Sequence, residues 1–454
     1  MKLVSTLNRV LFVLEEEQNL DLFRMDKEQE LTAEVLKEFI GIHGRQRVRY
    51  TELKNHYLSR PPILEREPKV ESWKPDNKIV SNYSKYIIDT FNGFFNGIPM
   101  RVNHDEDNLN EVIQDFWNRN SIDNVMNELA KTTSIYGRGY LFLYQDENAQ
   151  TNVAYNDPFD MFVIYSDEIR PSSLYGIRYV VDEDGYKGQL FTDTEAYDFT
   201  LEGNKLSLGE SHSLFYGRIP IIEFIENEER QSLIEPVESL INAYNEALSG
   251  KLDDIDYFAD AYLSILGALL DDESIKHLKD NRIINMAGDG AEKVTVEFLD
   301  KPDADQTQEN FLDRTERLIY QLSQVANIND TTFSASNSSG VALEFKLQPM
   351  KNLALNKERK FEQGIQTMLQ MLFNVNTSIP QSQKQEYMNV GYDWSRNLPA
   401  NNEAEASVVR SLDGIVSHRK QLEMLSAVDD AQAELEAIEE ENAPLPQYDF
   451  EMGE

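Results

Sequence analysis

Residues 235–375 constrain the fold of this chain more than any other stretch. From Pro236 to about Gly267, apolar residues recur at steps of three and four: Val237, Leu240, Ile241, Tyr244, Leu248, Leu252, Ile255, Phe258, Tyr262 and Leu266. That spacing predicts an amphipathic helix of about thirty residues, roughly 45 Å long. Pro236 suits its first turn, where the missing N–H costs nothing. Asp253, Asp254, Asp256 and Asp260 form an acidic face off the stripe. A short β-like insert follows, with strands expected at Asn281–Met286 and Lys293–Leu299. A second helix is expected from Asp305 to Ala326, with Phe311, Leu312, Leu318, Ile319, Leu322 and Val325 as its seam. Then comes a run whose one charge is an Asp, Asn327-Ile-Asn-Asp-Thr-Thr-Phe-Ser-Ala-Ser-Asn-Ser-Ser-Gly340. A last long helix begins at Val341 and carries Pro349 in its interior. Proline there removes one backbone bond and clashes with the preceding turn, costing about 3 kcal/mol in a straight helix, so a kink near Phe345 is expected. Long helices with one apolar seam pack against a neighbouring copy or domain. The layout is architectural: two struts, a cap, and a polar loop held out by helices.

The rest of the chain supplies a body for the struts. Thr32 to Ile40 reads as helix, and Arg45-Gln-Arg-Val-Arg49 as a solvated helix end. Pro61, Pro62 and the stretch from Pro68 to Pro75 read as extended linker. Helices are expected from Ile79 to Phe95, closing near Gly93 or Gly97, and from Leu109 to Ile135. From Gly137 to Ile225 the period changes to two, predicting an antiparallel β region of about ninety residues. Asp182-Glu-Asp-Gly185 and Glu202-Gly-Asn204 mark its hairpin turns. Residues 376–400 look irregular. A helix then starts near Asn402, with Val408, Leu412 and Ile415 as its apolar face. An acidic helix follows, and Pro444 and Pro446 open an acidic tail expected to be disordered.

A chain of 454 residues with 41% apolar and 10% aromatic residues has ample core. Its net charge of −37 argues against a protein that coats DNA, since phosphate binding runs on Lys and Arg. An acidic wall past which DNA slides remains compatible with it. The absence of cysteine excludes disulfides and thiolate metal sites and fits a reducing compartment. Asn8, Arg9 and Glu15-Glu-Glu17 interrupt what would be a signal peptide, and no window reaches the length of a membrane span.

No catalytic constellation emerges. There is no phosphate loop, no His-Glu-x-x-His pair and no Gly-x-Ser-x-Gly elbow, and the six histidines lack ligand spacing. Gly137-Arg-Gly139 reads as a turn rather than a dinucleotide site. No enzymatic activity, cofactor or metal is expected.

Several stretches, in order, resemble the SPP1-type portal proteins of tailed phages of Gram-positive bacteria. They are Asn82-Tyr-Ser-Lys-Tyr-Ile-Ile-Asp-Thr-Phe-Asn-Gly-Phe-Phe-Asn-Gly-Ile-Pro99, Tyr136-Gly-Arg-Gly-Tyr-Leu-Phe-Leu-Tyr144 and Asp157-Pro-Phe-Asp-Met-Phe-Val-Ile-Tyr165. Gly217-Arg-Ile-Pro-Ile-Ile-Glu-Phe224, the strut from Glu235, and Ser339-Gly-Val-Ala-Leu-Glu-Phe-Lys346 complete the set. The resemblance implies an α+β portal fold with long stem helices, a small α/β clip insert, a mixed helix and antiparallel-sheet wing, and a helical crown. It places the wing at 1–234 and 341–400, stem helices at 235–267 and 303–326, and the clip at 268–302. The tunnel loop falls at 327–340, the crown at 401–442 and the tail at 443–454.

It further implies a homo-oligomeric ring, typically a dodecamer, at one capsid vertex of the virion, assembled in the host cytoplasm. Double-stranded DNA would pass through its channel without sequence preference. Terminase, major capsid and scaffolding proteins, and a head-completion adaptor would be its partners, with no membrane involved. The DNA-facing residues would be Asn329, Asp330, Thr331, Thr332, Phe333, Ser334, Ser336 and Asn337. Leu248, Leu252, Ile255, Leu318 and Leu322 would pack between subunits, Pro349 would bend the last helix, and Lys346 and Lys351 would reach phosphate. Another capsid-associated adaptor, or a nuclease using carboxylate-bound metal, are the alternative readings.

Overall fold

The computed structural model describes residues 23–69, 75–259, 263–266, 295–298, 305–328, 340–376, 379–396, 402–425, 427–428 and 431–442. Strand β1 (Phe23–Met25) precedes helix α1 (Ala33–Tyr57), and α2 (Tyr83–Asn96) leads through β2 (Arg101–Asn103) to α3 (Asp107–Arg119) and α4 (Ile122–Tyr136). The β region holds β3 (Arg138–Gln145), β4 (Thr151–Asn156), β5 (Met161–Ser166), β6 (Ser173–Asp182), β7 (Gly185–Phe191), β8 (Glu195–Glu202), β9 (Lys205–Ser213) and β10 (Ile221–Ile225). Next come α5 (Glu238–Ala259), β11 (Leu263–Leu266), β12 (Thr295–Phe298), α6 (Asp305–Ser323) and α7 (Gly340–Val375). Strand β13 (Gly391–Asp393) and helices α8 (Asn402–Ser411), α9 (His418–Leu422) and α10 (Ala431–Asn442) complete the order. The fold is α+β, as expected.

The β region divides into two sheets. One has six strands in the order β1-β5-β6-β7-β8-β9, antiparallel except for the parallel β1–β5 pair. The other has three, β10-β3-β4, all antiparallel. Both expected hairpin turns are present: Asp182 pairs with Gly185, and Glu202 with Lys205.

Three expectations upstream of the struts need correction. The helix read from Leu109 to Ile135 is two helices, because Ser121 adopts φ +49° and breaks the run. Helix α2 itself closes at Gly97, one of the two glycines expected to end it, and Gly93 lies within it. Ile79 belongs to an extended segment before α2. The basic cluster of α1 is not a solvated end either: Arg49 sits mid-helix and grips Glu235 through two 2.6 Å bonds.

The main core joins α2, α3 and α4 to the three-stranded sheet, the N-terminal end of α5, the C-terminal end of α6, and α7. Phe91, Phe95, Phe116, Phe224, Phe361 and Phe373 are buried there. Helix α7 packs on β10 so closely that a Cβ at Gly364 would stand 2.6 Å from the Phe224 ring. Its C-terminus is closed by Lys384, whose ammonium donates to the carbonyls of Phe373, Asn374 and Asn376. In α8 and the turn after it, Val408 and Ile415 are 48% and 73% exposed, so the apolar face expected there has no cover among the described residues.

A second core lies between α1 and the six-stranded sheet. Here His43 is buried among Phe23, Phe162 and Tyr179. One ring nitrogen lies 2.8 Å from the Tyr179 hydroxyl, and the other lies 2.8 Å from the Pro158 carbonyl. Burial, with Arg138 and Arg47 nearby, lowers its pKa to about 4. A histidine whose folded pKa lies below the unfolded value must be charged on acid unfolding. Stability should therefore fall as pH drops from about 6.5 to 4, by up to about 3 kcal/mol. Urea midpoints across this range should trace that limb, and His43→Gln should flatten it; an equal slope in both proteins contradicts the assignment.

Candidate channel wall and intersubunit surfaces

Helices α5 and α6 run antiparallel. Lys251 pairs with Glu309, and Gln308 Nε2 donates to Asp254 Oδ2 at 2.9 Å. Their inner ends are rooted in the main core through Val237, Ile241, Ile319 and Val325. Their outer ends lead to β11 and β12, which pair antiparallel with Leu263 opposite Phe298. The expected strut from Pro236 to Gly267 is thus shorter. Glu235–Val237 is a 3₁₀ turn, the helix ends at Ala259, and Leu263–Leu266 is a strand. The insert strand expected at Lys293–Leu299 exists as Thr295–Phe298 and pairs within the chain; Asn281–Met286 lies outside the described residues.

The predicted apolar seam divides in two. Leu248, Leu252 and Leu318 are half-buried by their own chain. Ile255, Leu322 and Phe311 remain open at 50%, 49% and 47% exposure. Helix α7 is assigned as one helix through Pro349, which is exposed. Between Gln348 and Gln366 its exposed side chains include Asn352, Leu355, Asn356, Arg359 and Gln363, with no carboxylate among them. Lys346 is exposed, and Lys351 lies 3.9 Å from Glu344. Asn329, Asp330, Thr331, Thr332, Phe333, Ser334, Ser336 and Asn337 lie outside the described residues, as does Asp260.

Asp253 and Asp256 of the acidic strut face hold an extended strap that runs along the helix. Asp253 Oδ1 accepts from the Asn77 N–H at 2.6 Å, Ser249 Oγ from the Ile79 N–H at 2.8 Å, and Asn245 Oδ1 from the Ser81 N–H at 2.8 Å. Every fourth residue of the helix meets every second residue of the strap. These spacings match, since four helical residues rise about 6.0 Å and two extended ones about 6.6 Å. Lys69 donates to Asp253 Oδ2 at 2.6 Å, and the Asn77 amide to Asp256 at 2.7 Å. Burial opposes ionisation of Asp253, but Lys69 and Asn77 prevail and hold its pKa below the usual carboxylate value.

Where the struts meet the body, charge is buried in pairs. Lys357 on α7 is fully buried, 2.6 Å from Glu226. Its ammonium also donates to the Ala130 carbonyl at 2.7 Å and Ser134 Oγ at 2.8 Å, within reach of the Phe91, Phe95 and Phe361 rings. Nearby, Glu223 binds Arg230 bidentately at 3.0 Å, faces Arg138 at 3.3 Å and accepts from the Tyr165 hydroxyl. Burial works against its charge, yet the Arg230 and Arg138 guanidiniums pull its pKa to about 2. Arg49 clamps Glu235 at the foot of α5 and donates to the Arg230 carbonyl at 3.1 Å. Paired, hydrogen-bonded charges of this kind fix one geometry at the joint.

Among the described residues, no group of three or more His, Asp and Glu could hold a metal ion, and no helix is long and apolar enough to cross a membrane. What the residues build is a rigid joint carrying a strapped, two-helix strut with open apolar positions.

The chain belongs to the phage portal protein family, SPP1 Gp6-like, whose model matches residues 36–444. It is 24% identical over 399 residues to the portal protein of Bacillus phage SPP1, spanning 82% of this chain and 77% of that protein. It is 22% identical over 437 residues to the portal protein of Clostridium phage phiCD119, spanning 88% and 94% of the two chains. Among solved structures, it is similar to a chain of the neck of an empty GTA particle computed with C6 symmetry. That match has a TM-score of 0.46 and 10% identity, and covers 82% of this chain and 92% of that one.

Proposed function

We propose that this chain forms a ring, with twelve copies the expected number, at one vertex of a phage capsid. Double-stranded DNA passes through its channel during packaging and ejection. In this reading α5 and α6 form the stem, the ribbon of β11 and β12 belongs to the clip, and residues 23–234 and 341–396 form the wing. Helices α8 to α10 form the crown. The loop 327–340, from Asn329 to Asn337, faces DNA: it is small and polar, lacks Lys and Arg, and would touch phosphate without gripping it. The terminase docks during packaging, head-completion proteins follow, and capsid and scaffolding proteins surround the wing. The protein acts as a conduit, not an enzyme.

The observation that carries this reading is the family match over 36–444. The chain's own physics supports it. Copies that each carry −37 repel, so they must meet on faces without carboxylates. The exposed side chains of α7 between Gln348 and Gln366 form such a face, and Ile255, Phe311 and Leu322 add open apolar positions. Heterologous contacts generate a ring when the rotation from copy to copy closes.

Mass measurement and negative-stain microscopy test it. The purified protein should form rings with a central hole wide enough for a DNA duplex. Ile255→Asp with Leu322→Asp should reduce ring yield at least tenfold while the monomer stays folded, because both sites are exposed in one chain. A wild-type protein that stays monomeric at micromolar concentration overturns the proposal.

A further inference from the structure

The chain leaves α6 in a defined direction. Helix α6 ends at Ser323, and Gln324 takes a left-handed φ of +59°. Val325 then turns into the main core, 1% exposed, with its N–H 3.4 Å from Ser323 Oγ. Three residues on, at the root of the polar loop, the Ile328 side chain is exposed, but its backbone N–H donates to the Tyr86 hydroxyl at 3.1 Å. Tyr86 comes from α2, far away in sequence.

Tyr86 is held at a point where three helices meet. Its ring meets Tyr320 of α6 edge-on at 5.7 Å. Tyr83, one turn earlier, meets Tyr320 at 5.8 Å and Tyr244 of α5 at 5.1 Å, both edge-on. Helix α2 itself follows directly on the strap bonded to α5. Rotation of the Tyr86 ring would break its edge contact with Tyr320, worth a fraction of a kcal/mol or more beyond its burial. The hydroxyl is therefore presented at a fixed place relative to both struts.

We infer that Tyr86 is the positioning residue of the polar loop: it fixes where the loop leaves the struts and so where it meets DNA. The inference rests on the reading that residues 327–340 face DNA. Tyr86 binds no DNA itself; it transmits the strut position to the loop root.

Tyr86→Phe keeps the ring and removes the acceptor, and Tyr83→Phe removes a hydroxyl from the same cluster without touching Ile328. In Tyr86→Phe rings, hydrogen exchange of the Ile328 amide should rise roughly 2- to 10-fold, the effect of losing one hydrogen bond. The yield of DNA-filled particles in a complemented portal-deficient phage should fall, while ring formation is unchanged. Tyr83→Phe should leave both the Ile328 exchange and the yield at wild-type values. Unchanged exchange in Tyr86→Phe, or raised exchange with normal packaging, overturns the inference. Deleting Asn329–Ser336 separates the two claims. Normal packaging after the deletion sinks the DNA-facing reading of the loop, whereas impaired packaging there with a normal Tyr86→Phe sinks only the role of Tyr86.

Discussion

Replacing Lys357 with Met should destabilise the protein by about 3–5 kcal/mol, as breaking a buried ion pair by removing one partner generally does. The ammonium is fully buried and is the closest partner of the Glu226 carboxylate, at 2.6 Å. Without it, Glu226 keeps only the Thr133 and Ser134 hydroxyls, at 3.3 and 3.2 Å. Burial lowers the pKa of Lys357 and Glu226 opposes that shift, so the lysine's charge depends on the carboxylate beside it. Replacing both, Lys357→Met with Glu226→Gln, should recover most of the loss, because an apolar and amide pair asks for no buried charge. Denaturant unfolding of the full-length proteins at one matched concentration measures both. A single variant that loses less than about 1 kcal/mol would mean that water reaches the pair.

Gly137→Ala should cost about 2–5 kcal/mol or prevent folding. Gly137 caps α4 with φ +83°, a conformation that costs an L residue about 1–2 kcal/mol. A Cβ there would stand 1.8 Å from the Arg230 carbonyl oxygen, and backbone must move to admit it, which adds about 1–3 kcal/mol. Arg230 is itself held at φ +55° with its guanidinium on Glu223, so the shift would spread into the buried charge cluster. Gly93→Ala is the matching control. It lies inside α2 with nothing within 4 Å of its Cβ position, so alanine should stabilise by roughly 0.5–1 kcal/mol. Similar thermal shifts for the two variants would refute the close approach at Gly137.

The struts and the β region were legible because their periods are long and unbroken. The strand at Leu263–Leu266 was not, since Tyr262 and Leu266 continue the helical spacing by chance and a short apolar run fits either structure. The joint was legible only in outline. The stripe Met350, Ala354, Phe361 and Ile365 carries a lysine, Lys357, at the step where an apolar residue belongs. That exception was the available signal for a buried pair. Arg138 was hidden differently: its flanking glycines read as a turn, while the arginine between them starts a strand and is buried. Nothing in the sequence named the partners Glu226 and Glu223, because carboxylates are abundant along this chain. The strap escaped for a similar reason. Asn245, Ser249 and Asp253 sit where a helix of this type usually meets water.

Those three residues and their strap act as a vernier. The two scales differ by roughly 0.6 Å per rung, so they coincide over a few rungs and then drift apart. The sequence also ends the scale at both sides. The next strap position is Pro75, which has no N–H, and the next helix position is Ile241, which offers no side-chain acceptor. A slip of one rung one way puts Pro75 opposite Asp253. A slip the other way calls on the Tyr83 N–H, already given to the Ser81 carbonyl. One setting satisfies all three rungs, so every copy of the chain measures the same length from strut to α2.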